Sequence, residues 1–417
     1  MRILVINQYF YPDHASTGQY AHDICREIAQ AGIEVEVVTA QPCYTEESPA
    51  APSYEQHVNI RIHRISVGRY KGRKDIRKRI LGYSRFLVRG YRKSNELLKR
   101  KKFDLIITFH NPPFVGFLGA VLAKKYNTKF MYILYDIHPE IIVASGWRIP
   151  TFVLVLWDKI NNFIFNRASK IIVLSDGMKR TLRENKKVKA DKIKIIPLWA
   201  KPEINSELTE NLIKERLDRQ EKDMFLLYAG NMGVSHPVEI IIEARKAIRD
   251  CPIKILFVGD GVKKQYLLDC VNKENIRGVE ILPFQPLDNF ISLLTQSDAC
   301  LVTIARGLEN MALPSRVFTY LSAGKPIIAV MDDKADLAKV IKEFDCGWVV
   351  NSSQDLASLI QQIAIDKRGL IRKSQNAKNL YNNFYKKEII VREYVRMIED
   401  IVKSQTGTDK FVKNELI

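Results

Sequence analysis

The chain has 417 residues, a formal net charge of +18, 46% hydrophobic and 27% charged residues. These are proportions of a folded globular protein with room for two or three cores, and they exclude a disordered or fibrous chain. The six cysteines, Cys25, Cys43, Cys251, Cys270, Cys300 and Cys346, are scattered without a C-x-x-C pair, which speaks against a disulfide framework or a zinc site and fits a reducing cytoplasm.

Short β-branched runs alternate with helical patterns almost throughout, as in a parallel sheet covered on both faces. Ile3 to Ile6 is the first strand and is too short for a signal peptide. Ala21, Ile24, Cys25, Ile28 and Ala29 then follow helical spacing up to Gly32, and Val35 to Thr39 is the next strand, a βαβ opening. Further strands are expected at Asn59 to Ile65, Leu105 to Thr108, Phe130 to Leu134, Ile171 to Leu174 and Ile193 to Ile196. The apolar run Thr151 to Phe165 is broken by Asp158, Lys159, Asn161 and Asn162, so no spanning helix is expected.

Residues 69–102 hold fifteen Lys or Arg against Asp75 and Glu96, a local balance of 15 − 2 = +13. Apolar Ile76, Ile80, Leu81, Tyr83, Phe86, Leu87, Tyr91, Leu97 and Leu98 are interleaved with these charges, which reads as one or two basic amphipathic helices. A solvated helix face and an anionic membrane surface both fit; with Ile80, Leu81, Phe86, Leu87 and Tyr91 in the headgroup region, the membrane reading is the one carried forward. No Cys/His finger or RNP-like aromatic signature points to nucleic acid.

Asp136, His138 and Glu140 cluster just after the strand ending at Leu134, and His110 follows another strand in the same way. A carboxylate and an imidazole can position a substrate hydroxyl or manage its proton, and they are the catalytic candidates. A polar turn capping the next helix through Asp136 is the plainer alternative. Two ligands are too few for a metal, and no D-x-D exists to chelate one, so no cofactor or metal is expected.

After the polar stretch Lys201 to Asp223 the alternation restarts, with strands at Met224 to Tyr228, Lys254 to Val258, Glu280 to Leu282, Ala299 to Val302, Ile327 to Val330 and Trp348 to Val350. Two doubly wound units are therefore expected, with their boundary at about 198 to 222 and a final helix at Glu388 to Lys403. Gly230-Asn231-Met232-Gly233, Gly259-Asp260-Gly261 and Pro283-Phe284 follow three of these strands, where open α/β sheets bind ligands. Glycines there are either simple turn residues or places where the backbone approaches a ligand, beside which Phe284 could stack on a base. In Leu313 to Val330, Pro314-Ser315-Arg316 opens a helix and Gly324-Lys325-Pro326 closes it, aiming backbone N–H groups and a guanidinium at one spot suited to a phosphate. Without an intact G-x-G-x-x-G after the first strand, a hydride-transferring Rossmann enzyme is disfavoured.

In order and spacing these motifs resemble glycosyltransferase family 4, and the resemblance covers nearly the whole chain. It rests on Ser16-Thr17-Gly18, Tyr135 to Glu140, Leu174 to Met178, Ile196-Pro197, Tyr228 to Gly233, Gly259 to Gly261 and Leu313 to Val330. The branch it looks most similar to contains transferases for O-antigen, colanic acid and capsular polysaccharide, among them L-fucosamine transferases. The resemblance implies a GT-B fold, in which two Rossmann-like domains face a cleft and a C-terminal helix crosses back. The domains would be an acceptor-binding 1–200, a nucleotide-sugar-binding 201–385 and a crossover helix with tail at 386–417. It also implies retaining transfer from a nucleotide-diphosphate sugar, UDP-sugar favoured, to a lipid-linked saccharide on the inner face of the cell membrane.

With this resemblance beside the reading of the residues, the donor-binding candidates are Gly230, Asn231, Gly233, His236, Gly259, Gly261, Phe284, Glu309, Pro314, Ser315, Arg316 and Thr319, and the acceptor-binding candidates Thr17, Gly18 and His110. The departures are specific. The family's two glutamates fall on Met311 and Thr319, and its diphosphate-binding Arg and Lys on Asn231 and His236. Arg316 is the available cationic substitute, with Lys325 second. An epimerase or hydrolase of the same fold, and a non-catalytic partner subunit with a degenerate donor site, are the alternatives.

Overall fold

A computed structural model describes all residues except 14, 44–49, 69–75, 145, 205–223, 312 and 404–417. The first part of the basic span, most of the expected domain boundary and the tail after Lys403 lie outside the described residues.

The first sheet contains β1 (Arg2–Ile6), β2 (Glu34–Ala40), β3 (Tyr54–His57), β4 (Ile60–Ile65), β5 (Leu105–Phe109), β6 (Lys129–Ile133), β7 (Lys170–Val173) and β8 (Ile193–Ile195). Their order is β3-β4-β2-β1-β5-β6-β7-β8, parallel except for β3, which runs antiparallel to β4. The second sheet holds β9 (Met224–Ala229), β10 (Ile253–Val258), β11 (Val279–Leu282), β12 (Ala299–Thr303), β13 (Ile327–Val330) and β14 (Gly347–Val350). It is parallel, in the order β11-β10-β9-β12-β13-β14. The central strands of both sheets are buried on both faces, which is why they read as continuous apolar runs.

The helices of the first unit are α1 (Ser16–Gln30), α2 (Ile76–Arg100), α3 (Val115–Lys125), α4 (Glu140–Ala144), α5 (Thr151–Arg167) and α6 (Asp176–Glu184). The crossover through α1 runs from β1 to β2, opposite to those through α2, α3 and α5, so right-handed connection puts α1 on one face and the others on the opposite one. On that second face α3 packs against both α2 and α5.

The basic span folds as one helix from Ile76, but with a correction to its exposed face. Phe86 is fully buried and Leu87 and Tyr91 pack against the core, so these three belong to the helix–sheet contact. Ile80 and Leu81 remain exposed.

The C-terminal helix Lys387–Lys403 packs against α1 and buries Ile390, Val391, Tyr394 and Ile398. The Tyr394 hydroxyl lies 3.3 Å from that of Tyr135 in the first unit. The end of the chain thus crosses back, as the sequence led one to expect.

Candidate functional site between the two sheets

Parallel strands present their carboxyl ends and the following loops along one edge, and the two sheets turn these edges toward each other. The Ile137 N–H donates to the Met311 carbonyl (3.1 Å), and the Thr181 hydroxyl donates to the Asn310 carbonyl (3.3 Å). Asp336 accepts from the Gly177 N–H at the start of α6 and from Arg180 (3.1 Å), a carboxylate at a helix N-terminus where the dipole favours it. Between α1 and the strand-end loops of the second sheet lies a cavity of about 750 Å³, within the size range of small-molecule sites. Ser16, Gln19 and Asp23 of α1 line one wall, and Gly230, Phe284, Ser315, Arg316 and Thr319 the other.

Arg316 is the first residue of the helix Arg316–Ser322. That helix is shorter than its sequence suggested, because Pro314 and Ser315 precede it in the loop, and it stops at Gly324 with φ 65°. The guanidinium lies over the Tyr228 ring, 4.6 Å from its centre. Its Nη2 donates to the Asn231 carbonyl (3.4 Å) and approaches His236 Nε2 (3.3 Å). Nη1 is buried without a hydrogen-bond partner among the described residues, an N–H pair on a fixed cation that an anion would satisfy. Burial first, and the neighbouring Arg316 charge second, push His236 down to about 3. The ring is therefore neutral. Its Nδ1–H donates to the Thr303 carbonyl (2.8 Å), which leaves Nε2 as an acceptor for Arg316.

The glycine loops make room for this arrangement. Gly230 has φ 126°, and a side chain on it would meet the guanidinium carbon at 3.1 Å. Gly259 and Gly261, with φ 142° and 153°, lie so near the backbone of Gly230 and Met232 that a Cβ would collide with it. Gly233 accepts from the His236 N–H (3.1 Å). Phe284 stands two-thirds exposed at the rim.

In the first unit the structure brings Asp136 and His110 together at 2.9 Å, although neither is among the residues that line this cavity. His110 is buried behind a carboxylate that is 37% exposed, so Asp136 is the group a substrate could touch. Burial works against its charge, but the His110 and His138 rings hold its carboxyl below the usual range. His138 lies between His110 and Trp157, with ring centres 6.2 and 6.4 Å away, and burial pushes it down to about 4. It is a neutral packed ring whose Nδ1 is buried without a partner among the described residues.

Other expected residues are placed differently. Glu140 turns away to an ion pair with Lys186, which Asp158 joins at 2.5 Å; this does not support Glu140 as a catalytic group. Gly18 is buried where α1 crosses Tyr9 and Phe10, and a Cβ there would lie 2.9 Å from their backbone, so its smallness serves packing; Thr17, beside it, is partly buried. Thr319 is held by the Lys201 backbone, accepting from its N–H and donating to its carbonyl, each at 3.2 Å. Lys325 donates to the carbonyls of Thr295 (2.7 Å) and Ser297 (2.8 Å). One carboxylate oxygen of Glu309 is buried without a partner among the described residues. Among those residues no group of three or more His, Cys, Asp or Glu could hold a metal ion.

Sequence reasoning missed Asp23, Lys201 and Glu203, all on the cavity wall. Lys201 pairs with Asp23 at 2.6 Å and donates to the Gln19 carbonyl (2.9 Å). For Lys201 and Glu203 the available signal was the polar Lys-Pro-Glu run that follows the apolar Ile196 to Ala200 after β8.

Comparison with known proteins agrees with this geometry. A glycosyltransferase 4-like domain matches residues 17–199, and a glycosyltransferases group 1 domain matches 209–386. WbjE of Pseudomonas aeruginosa, named as a glycosyltransferase, is 24% identical over 377 residues, 87% of this chain and 89% of its own. WcaI of Escherichia coli, named for colanic acid biosynthesis, is 23% identical over 413 residues, 95% and 100% of the two chains. Among solved structures, Anabaena HepE in complex with UDP-glucose superposes with a TM-score of 0.64 at 16% identity, covering 97% of this chain and 100% of its own. With the two facing Rossmann-like domains and a helix crossing back, the chain belongs to the GT-B glycosyltransferases of family 4.

Proposed function

We propose that this glycosyltransferase moves a sugar from a nucleotide-diphosphate donor, a UDP-sugar in first place, to a lipid-linked saccharide at the inner face of the cell membrane, in the building of a surface polysaccharide. The observation that carries the donor half is the unpartnered Nη1 of Arg316, buried at the cavity wall between the glycine loops and Phe284. A guanidinium fixed there would neutralise charge as the diphosphate leaves. Arg316 in this role compensates for Asn231 and His236 at the family's cationic positions, and needs no metal. The UDP-glucose bound by HepE supports the choice of donor class. The polysaccharide context is supported by the name of WcaI, given for colanic acid biosynthesis; the lipid-linked acceptor is proposed from the family resemblance, and attachment to an anionic surface from the cations of 69–102.

Asp136, with His110 behind it, is the group in the first domain proposed to position or deprotonate a sugar hydroxyl. Retention at the anomeric carbon is proposed from the family alone. A panel of UDP- and GDP-sugars, with cell membranes as acceptor, tests the reading. Sugar should enter the lipid-extractable fraction from one donor; hydrolysis or epimerisation with no transfer from any donor would overturn it.

A further inference from the structure

Helix α5 is apolar on its outward face as well as its inward one. It buries Ile164 and Phe165 and packs Ile160 and Phe163 on the core, yet at the spacing i, i+3, i+4 it also exposes Phe152, Val155 and Leu156. An ordinary surface helix keeps its outward face polar. Phe152 is 74% exposed and Leu156 57%, and the loop between α4 and α5 adds Trp147 at 54%. Contiguous apolar exposure on this scale marks an interaction surface.

The position of the patch argues for what covers it. The amino-terminal ends of α2, α3 and α5 all follow strand carboxyl ends, so they lie at the cleft-side rim of one helical layer. Exposed Ile80 and Leu81 of α2 stand on the same rim. Of the nearby acids, the partly buried Glu140 and the half-exposed Asp158 both pair with Lys186. Arg148, Lys159 and Arg77 are exposed, which adds cations to this rim. Aromatic and aliphatic side chains ringed by cations fit an anionic bilayer surface. Among the described residues no helix is long and apolar enough to cross a membrane, so the contact is one of lying on it.

We infer that the rim formed by Trp147, Phe152, Val155 and Leu156 inserts into the headgroup region of an anionic bilayer and turns the cleft mouth toward it. This deepens the membrane reading of the proposed function and rests on it. It assigns the apolar contact to α4–α5, in place of Phe86, Leu87 and Tyr91, which pack on the core.

The test uses the full chain with neutral phosphatidylcholine vesicles and vesicles containing anionic phosphatidylglycerol, at low and high salt. Wild type should bind the anionic vesicles, with a salt-resistant part. The triple change Phe152→Ser, Val155→Ser, Leu156→Ser should reduce that part by about tenfold or more and leave UDP affinity unchanged. Arg77→Gln with Lys78→Gln should reduce only the salt-sensitive part. Brominated lipid should quench tryptophan fluorescence in wild type and not in Trp147→Phe. Wild-type binding that the triple change leaves intact, with no quenching, would overturn the assignment to α5 and leave attachment through 69–102 standing. Absence of wild-type binding to either vesicle would overturn both. Self-association in sedimentation that the triple change abolishes, with vesicle binding unaltered, would make the patch a contact between copies and also overturn it.

Discussion

Arg316 and His236 meet at 3.3 Å through Nη2 and Nε2, a contact in which a neutral imidazole takes the place of a second cation. Because His236 is held by the Thr303 carbonyl at 2.8 Å, it fixes the guanidinium and leaves Nη1 for a ligand. The positive charge of the donor wall is therefore concentrated in one side chain.

That contact has a pH signature. The folded-state values of His236 and His138, about 3 and about 4, lie below the unfolded value of about 6.5. The unfolded chain then binds more protons, so the stability these rings contribute is complete above pH 6.5 and is lost as pH falls toward 4 and 3. Within that window each ring costs up to about 1.4 kcal/mol per pH unit. Urea midpoints should fall between pH 7 and pH 5, and fall less in His236→Gln. Identical pH profiles for the two proteins would show that the ring protonates freely in the fold.

Asp136→Asn should lower turnover by about a hundredfold or more with nucleotide affinity unchanged, since it belongs to the first unit and is not among the residues lining the cavity with Arg316. His110→Ala should follow in the same direction through loss of the 2.9 Å contact. Glu140→Gln should leave turnover near wild type and reduce stability, because it leaves Lys186 with a weakened partner. Steady-state kinetics of the three variants decide this; a silent Asp136→Asn would remove it from the chemistry.

The strands were legible because parallel strands buried on both faces are continuous β-branched runs, and all the expected ones formed within a residue or two. β3 was not. Tyr54–His57 is polar and mostly exposed, and only the turn at Asn59 with φ 60° announces its pairing with β4. Arg316 and the glycine loops could be read because helix and strand ends punctuate the sequence. Pairings over long separations could not: Thr319 with Lys201 and Glu140 with Lys186 depend on how the chain returns. Nor could the outward face of α5, whose composition is that of a core helix.

Gly259→Ala should be among the costliest single changes. It needs φ 142° and would drive a Cβ into the Gly230 carbonyl, so a loss of about 2 kcal/mol or more is expected, together with nucleotide binding. Chemical denaturation and a nucleotide titration check this; wild-type stability would mean that the two loops separate readily.

Transfer should proceed in the presence of a chelator, since the donor wall carries its own cation and no D-x-D occurs in the chain. Activity abolished by chelator and restored by manganese would reverse that expectation.

The central claim is that Arg316 holds the donor diphosphate, and calorimetric titration of UDP into wild type and Arg316→Ala tests it most directly. A charge-assisted contact is worth about 1.5 to 3 kcal/mol, so the variant should bind about tenfold to a hundredfold more weakly with an unaltered melting transition. Equal affinity of the two proteins for UDP would contradict it.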